Sequence, residues 1–131
     1  MAKEIVNPKS VCKPMGPYSQ GVVATGRKLV FISGQVPQDS KGDLVGRDDI
    51  DAQTRQVLTN LRNILEEIGG TLSDIVKITV FMVETTAAAL ETAARVREEF
   101  FGSDFPASTL VAVKSLASPD WLVEMEAFAV L

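Results

Sequence analysis

Histidine is absent from this 131-residue chain, and cysteine occurs once, as Cys12. Without histidine there is no imidazole general base, no Ser-His-Asp triad and almost no route to a zinc site. With one cysteine there is no intrachain disulfide, and Cys12 has no CxxC partner, so we interpret it as chemically inert. Any chemistry must come from carboxylates, hydroxyls, amides, lysine or arginine.

Long apolar runs and clustered cations are also missing. No run approaches the length of a membrane span, and the first ten residues lack the apolar region of a signal peptide, so we expect a cytoplasmic protein without membrane contact. The net charge is −4 and the basic residues are dispersed along the chain. A nucleic-acid surface needs clustered Lys and Arg to neutralise phosphates, so we expect no nucleic-acid partner. The length predicts one domain, residues 1–131.

Two stretches have the spacing of amphipathic helices. Between residues 51 and 68 the apolar side chains recur at three- and four-residue steps, which predicts a helix with one buried stripe. Asp49 or Asp51 is the expected N-cap, and Gly69-Gly70 supplies the stop. The same spacing returns over Thr86–Phe101 and predicts a second helix.

Alternating and β-branched runs predict six strands around these helices. In chain order they are Lys3–Val6, Val22–Thr25, Leu29–Ser33, Ser73–Val83, Thr109–Val113 and Leu122–Leu131. The second and third flank Gly26-Arg27-Lys28, which predicts a β-hairpin. Strands and helices then follow one another as two βαβ-like halves. This order predicts an α+β domain with a mixed sheet and both helices packed on one face.

The predicted sheet leaves an apolar face without a cover. We expect that face to carry Phe81, Val83, Leu110, Phe128 and Val130, which is more apolar surface than a monomer usually leaves in water. Self-association into a symmetric oligomer is the simplest way to bury it.

Two carboxylates on the last predicted strand need an explanation. Glu124 and Glu126 share a face with Phe128 on a strand that is otherwise apolar. Such carboxylates lie either at a solvent-exposed edge of the sheet or in a functional site, and the pattern alone does not decide between the two. Ser33-Gly34, at the end of the third strand, predicts a bulge or a close approach of another group to the backbone.

Six motifs in the same order give the chain a resemblance to the RidA/YjgF family. They are GPYSQGV at 16–22, FISGQ at 31–35, AQTRQVLTNLRNIL at 52–65, DIVKITVFM at 74–82, FPAST at 105–109 and VEMEAFAV at 123–130. The resemblance implies a chorismate-mutase-like α+β fold and a homotrimer with a small-molecule ligand in each inter-subunit cleft. It also implies hydrolysis of reactive 2-imino or 2-enamino acids to 2-keto acids and ammonia, without a metal or an organic cofactor.

The resemblance also assigns site residues. Glu124 matches the glutamate that orients the attacking water. Tyr18 matches a tyrosine that lines the cleft, although the tyrosine could equally pin the Gly-Pro loop. Ser33 and Gly34 match a pair that contacts the ligand through the backbone, and Leu110 belongs to the same substrate-binding set.

The chain departs from the family at two matched positions. Ser108 stands where active members have the arginine that clamps the substrate carboxylate, and Ala94 stands where an asparagine is usual. A serine offers one neutral donor in place of two parallel charged ones. Arg95 or Arg97 of the second helix could supply a replacement cation, or could simply belong to its solvated face.

The matched site residues and the two departures together leave two functions open. One is a deaminase of imines or enamines whose specificity is altered by Ser108. The other is a catalytically silent trimer that binds a small metabolite or acts as a chaperone-like or regulatory partner. Older family labels of ribonuclease activity rank last, because the acidic charge and the absent histidine give them no physical support.

Overall fold

The computed structural model describes all 131 residues, which form six strands and two long helices. The elements are β1 (Ala2–Val6), β2 (Gly21–Thr25), β3 (Leu29–Gln35), α1 (Ile50–Glu67), β4 (Ile75–Met82), α2 (Ala87–Phe101), β5 (Ala107–Ala112) and β6 (Val123–Val130). A short 3-10 turn at Leu72–Asp74 precedes β4. The predicted α+β class and the order of the elements are confirmed.

The main sheet has the strand order β3-β6-β4-β5. β6 runs antiparallel to both of its neighbours, and β4 and β5 are parallel, so the sheet is mixed as predicted. α2 is the crossover between β4 and β5. α1 joins β3 to β4, which run in the same direction because both oppose β6. Both βαβ halves are therefore present, with β6 inserted between the strands of the first.

Side-chain caps explain where the helices begin. The Asp49 carboxylate accepts the Ala52 backbone N–H at 3.1 Å, and the Thr86 hydroxyl accepts the Ala89 N–H at 3.2 Å. Each bond satisfies one of the amide groups that a helix leaves free in its first turn. Gly69, with a φ of +81°, takes the chain out of α1 in a conformation that suits glycine.

Both helices pack on one face of the main sheet and enclose the core. The apolar residues that are fully or almost fully buried there come from α1, β4, α2 and β6. They include Val57, Leu58, Leu61, Leu65, Ile78, Val80, Met82, Ala93, Val96, Val123, Met125, Ala127 and Ala129. Neither helix is long and apolar enough to cross a lipid bilayer.

The predicted hairpin between β2 and β3 is wrong. β2 pairs with β1 in a separate two-stranded sheet, whereas β3 pairs with β6. β2 starts near β5, where Ser19 bridges Ala107, and it is followed by Arg27 and Lys28, whose N–H groups bond the Leu131 carbonyl. The two-stranded sheet therefore lies across one end of the main sheet. β3 pairs with β6 instead of with β2, although Gly26-Arg27-Lys28 between β2 and β3 favours a hairpin turn.

The sheet face opposite the helices is open, and its apolar residues differ in part from the prediction. Phe128 is exposed there as expected, but Leu110 is not on this face. Leu110 pairs in register with the core residue Val80, so its side chain points to the helix side. Phe31 takes part instead, with 70% of its surface exposed, and it meets Phe128 edge to face at 5.4 Å.

A buried glutamine ties α1 to the segment that starts β6. Gln53 is fully buried, donates to the carbonyls of Gly46 (3.0 Å) and Asp120 (2.9 Å), and accepts the Leu122 N–H at 2.7 Å. These bonds satisfy three backbone groups of irregular segments that have no strand partner of their own. Gln53 thus fixes the chain two residues before Glu124.

We expect Gln53→Met to lower the free energy of unfolding by about 2–4 kcal/mol, because the Asp120 carbonyl and the Leu122 N–H lose the partner that Gln53 provides and the Gly46 carbonyl keeps only the Asp49 N–H. Chemical denaturation checks this. The matched control is Gln56→Met on the same helix, where only the hydrogen bond to Asn60 is lost, and there we expect a loss of about 1 kcal/mol or less. Equal losses in the two variants would contradict this role of Gln53.

Candidate functional site

Glu124 lies against the bare backbone of a bulge in β3. The register between β3 and β6 shifts between Ile32 and Gln35, which leaves Ser33 and Gly34 without partners in the ladder. A Cβ at Gly34 would overlap the Glu124 carboxylate and lie only 2.9 Å from its carboxyl carbon. The bulge and the close approach predicted at Gly34 are therefore both present.

The Glu124 carboxylate has no hydrogen-bond or ion-pair partner in the chain, since none of the side-chain hydrogen bonds or salt bridges involves it. Burial raises its pKa above the usual glutamate value, and the nearby Glu126 carboxylate adds to the rise. A carboxylate with a raised pKa and no partner is a stronger base than an ordinary surface glutamate. This arrangement suits a group that orients water and exchanges protons with it.

The raised pKa of Glu124 has a consequence for stability. Between the unfolded and folded pKa values the native protein binds more protons, so this group's contribution to stability falls as pH rises through that window. We expect Glu124→Gln to melt at a higher temperature than the wild type at neutral pH. The advantage should disappear below about pH 4, where glutamates are protonated in both states. Thermal melts across this range check it.

Glu84→Gln, at an exposed position before α2, is the control for that series. It should follow the wild-type melting temperature at every pH. If Glu124→Gln melts below the wild type at pH 7, the ionised carboxylate stabilises the folded state and does not destabilise it.

Four of the predicted binding residues meet in one cavity on the helix side of the sheet. Tyr18, Ala94, Ser108 and Leu110 line a cavity of about 500 Å³ between the loop before β2, α2 and β5. The remaining lining residues are Met15, Gly16, Pro17, Gln20, Leu90 and Arg97. The cavity is therefore apolar on several sides, with a few hydroxyl, amide and cationic groups.

The loop that carries Tyr18 is fixed to the start of β5. Ser19 is buried, its hydroxyl donates to the Phe105 carbonyl, and its N–H bonds the Pro106 carbonyl at 3.0 Å. The Tyr18 hydroxyl accepts the Met15 N–H at 3.3 Å. Tyr18 thus both pins its loop and lines the cavity, so the two roles that the sequence left open are compatible.

The two arginines considered as replacement cations differ sharply. Arg95 pairs with Asp51 at 2.7 Å and with Glu99 at 3.2 Å on the outer face of the helices. Arg97 lines the cavity beside Ser108, only 7% of its surface is exposed, and it has no ion pair. Burial lowers the pKa of its guanidinium from the usual arginine value.

Within one chain the candidate site is divided between the two faces of the sheet. Ser108 pairs in register with the core residue Ile78 and so points to the helix side, whereas Glu124 pairs with Phe81 on the open side. Ser33 and Gly34 lie with Glu124, and Tyr18 and Ala94 lie with Ser108. The structure gathers the predicted residues into two groups but does not bring those groups together.

Comparison with known proteins agrees with the fold and the motifs. A family model described as Endoribonuclease L-PSP matches residues 8–131. A RutC family protein of Pyrococcus abyssi is 39% identical over 129 residues, 98% of each chain. The chain belongs to the RidA/YjgF family. The solved structure of YyfB, a Rid-family protein of Yersinia pestis, covers all of both chains with 33% identity and a TM-score of 0.92. RidA of an Antarctic Psychrobacter covers 98% of this chain, with 29% identity and a TM-score of 0.72.

Membership of the RidA/YjgF family accounts for the motifs, but two residues around the cavity were missed or left undecided from the sequence. Ser19 lies inside the GPYSQGV motif, and no sequence signal marks it as the anchor of the loop. Arg97 did carry a signal. It lies four residues after Ala93 and three before Phe100, on the stripe that the helix buries. A charge on that stripe is not part of the solvated face.

Proposed function

We propose that the protein is a RidA-like hydrolytic deaminase that converts reactive imines or enamines to keto compounds and ammonia, with a specificity altered at Ser108. The observation that carries the proposal is the unpartnered Glu124 carboxylate with its raised pKa, seated on the bare backbone at Gly34. A family relationship over nearly the whole chain supports it.

The proposed hydrolysis needs only a few groups of the protein. Glu124 holds a water and takes one of its protons as the oxygen attacks the C=N carbon, giving a tetrahedral carbinolamine. The same carboxyl group returns that proton to the nitrogen and so completes the amino group of the carbinolamine. The carboxylate then takes the hydroxyl proton as the C=O bond forms and passes it to the nitrogen, so that the C–N bond breaks and ammonia leaves. Water and imine are consumed, and ketone and ammonia are released. Backbone groups of the bulge at Ser33 and Gly34 can hold the remaining polar atoms.

A homotrimer is part of the proposal, because it would complete the divided site. The open face carries exposed Leu29, Phe31 and Phe128, and burying such a patch favours association between copies. A cleft between neighbours would then set Glu124 of one subunit opposite the cavity with Tyr18 and Ser108 of the next. The family resemblance implies a ligand cleft between neighbouring subunits, and this arrangement is consistent with it.

A specific observation keeps the silent binding protein as the second candidate. Ser108 replaces the family's clamping arginine, while Tyr18 and the cavity remain. A trimer that binds a metabolite without turnover would keep this cavity and have no need of catalysis. By contrast, the ribonuclease suggested by the description of the family model gains no support from an acidic chain without histidine.

The deaminase proposal predicts measurable turnover. Imines generated in situ, both uncharged and carboxylate-bearing, should be hydrolysed faster with the wild-type protein than in buffer. Glu124→Gln should lose at least about 100-fold of the acceleration, in the range of lost acid–base catalysis. Gly34→Ala should lose at least about tenfold, because its Cβ displaces the Glu124 carboxylate. Ammonia release measures both.

Gly21→Ala is the matched control, because a Cβ at Gly21 meets nothing closer than 3.6 Å, and it should keep wild-type rates. Absence of acceleration over the whole panel by an assembled oligomer would contradict the deaminase. If small metabolites still raised the melting temperature of that oligomer, the binding protein would be the better account.

A further inference from the structure

We propose that Arg97 is the anion-binding residue of the cavity and that it holds the carboxylate of a small ligand from α2, on the opposite wall from β5. The anion site stands on the geometry of the cavity alone. Only its use in turnover rests on the proposed deaminase function.

The first step is the isolation of the charge. Arg97 is buried, and its only hydrogen bond runs from Nε to the Ala93 carbonyl, at 3.3 Å, one turn back in its own helix. The other arginines that join the two helices, Arg55 and Arg95, are each paired with carboxylates. A buried charge is normally paired, because removal from water is costly for the ionised form.

The second step is the direction in which Arg97 offers its donors. No buried side-chain nitrogen or oxygen of the protein lacks a partner. The two Nη groups of Arg97 make no hydrogen bond, so they must be the part of the residue that reaches solvent. Arg97 lines the cavity, and the cavity is where that solvent lies. Two parallel N–H donors on a guanidinium match the two oxygens of a carboxylate.

The third step is the charge of the cavity. Arg97 is the only charged residue among those that line it, so no carboxylate competes for the guanidinium. Glu91 and Glu98 line the adjoining surface depression and not the cavity itself. Arg97 therefore supplies the only formal charge on the cavity wall, although the whole chain carries a net charge of −4.

The fourth step is the partner position on β5. Ser108 lines the same cavity as Arg97. A second arginine at 108 would put two like charges into one cavity, and each would oppose the other. Arg97 and Ser108 are thus complementary. The cation has moved to the helix, and the serine hydroxyl leaves room and one neutral donor on the strand.

The rest of the lining limits the ligand. Leu90, Leu110 and Met15 make the walls largely apolar, and Tyr18 and Gln20 add the other polar groups. The chemistry fits a short-chain carboxylate with a small apolar side chain and one polar atom beside the carboxylate. Imino and oxo acids of that size have this form.

Calorimetric titration with pyruvate and with its uncharged amide, pyruvamide, tests the anion site at low ionic strength. The wild-type protein should bind pyruvate at least about tenfold more tightly than pyruvamide, as expected for a charge-assisted pair. Arg97→Met should remove that preference. Arg95→Met lies two residues before Arg97, on the exposed side of the same helix, where the arginine pairs with Asp51 and Glu99. This control variant should retain the preference.

A melting curve separates binding from a structural role. Arg97→Met places an apolar chain of similar length in a buried position, so it should melt at or above the wild-type temperature. A marked loss of stability together with unchanged pyruvate preference would overturn the proposal. So would a wild-type protein that binds pyruvate no better than pyruvamide.

A double variant supplies the positive control. Arg97→Met combined with Ser108→Arg moves the cation to β5 and should restore the preference for pyruvate.

Turnover distinguishes the anion-site proposal from the deaminase proposal. If pyruvate binds through Arg97 but no imine is hydrolysed, the anion site stands and the deaminase fails. If Arg97→Met hydrolyses carboxylate-bearing imines as well as the wild type, the deaminase stands and the role of Arg97 fails.

Discussion

The alternation of side chains along a strand is the constraint on which the candidate site depends. On β6 it sends Val123 and Met125 into the core and Glu124 to the open face, whereas on β5 it sends Ser108 toward the helices. The proposed base and the proposed binding cavity are therefore kept apart within one chain. Only association of chains can set them face to face, and the exposed Phe31 and Phe128 make association favourable.

The two halves of the site share a physical character. Glu124 is a carboxylate with a raised pKa and no partner, and Arg97 is a buried guanidinium without an ion pair. Burial disfavours the charged form of each group, so we expect each to lower the stability of the folded chain at neutral pH. The surroundings compensate with a dense core, with the bonds of Gln53, and with the ion pairs between α1 and α2.

Local signals predicted the elements well, because caps and periodicity act over a few residues. Asp49 and Gly69 are examples, since the cap and the stop of α1 are each set by nearby residues. Strand pairing depends on distant segments, and so the apparent turn at Gly26 was read as a hairpin when β3 in fact pairs with β6. Leu110 was assigned to the wrong face for the same reason, because only the register with Val80 decides it. Arg97 was left undecided because burial is a property of the packed helix.

Mixing of two inactive variants tests the divided site most directly. Glu124→Gln chains keep the cavity, and chains with Ala94→Phe keep Glu124 but have the cavity filled, so each should be inactive alone. If the base and the cavity come from neighbouring subunits, mixed oligomers contain some clefts with both wild-type halves. Ammonia release should then return to roughly a quarter of the wild-type rate at equal, random mixing. Native mass spectrometry verifies that mixed oligomers have formed. If these oligomers remain inactive while the wild type turns over substrate, the account is contradicted.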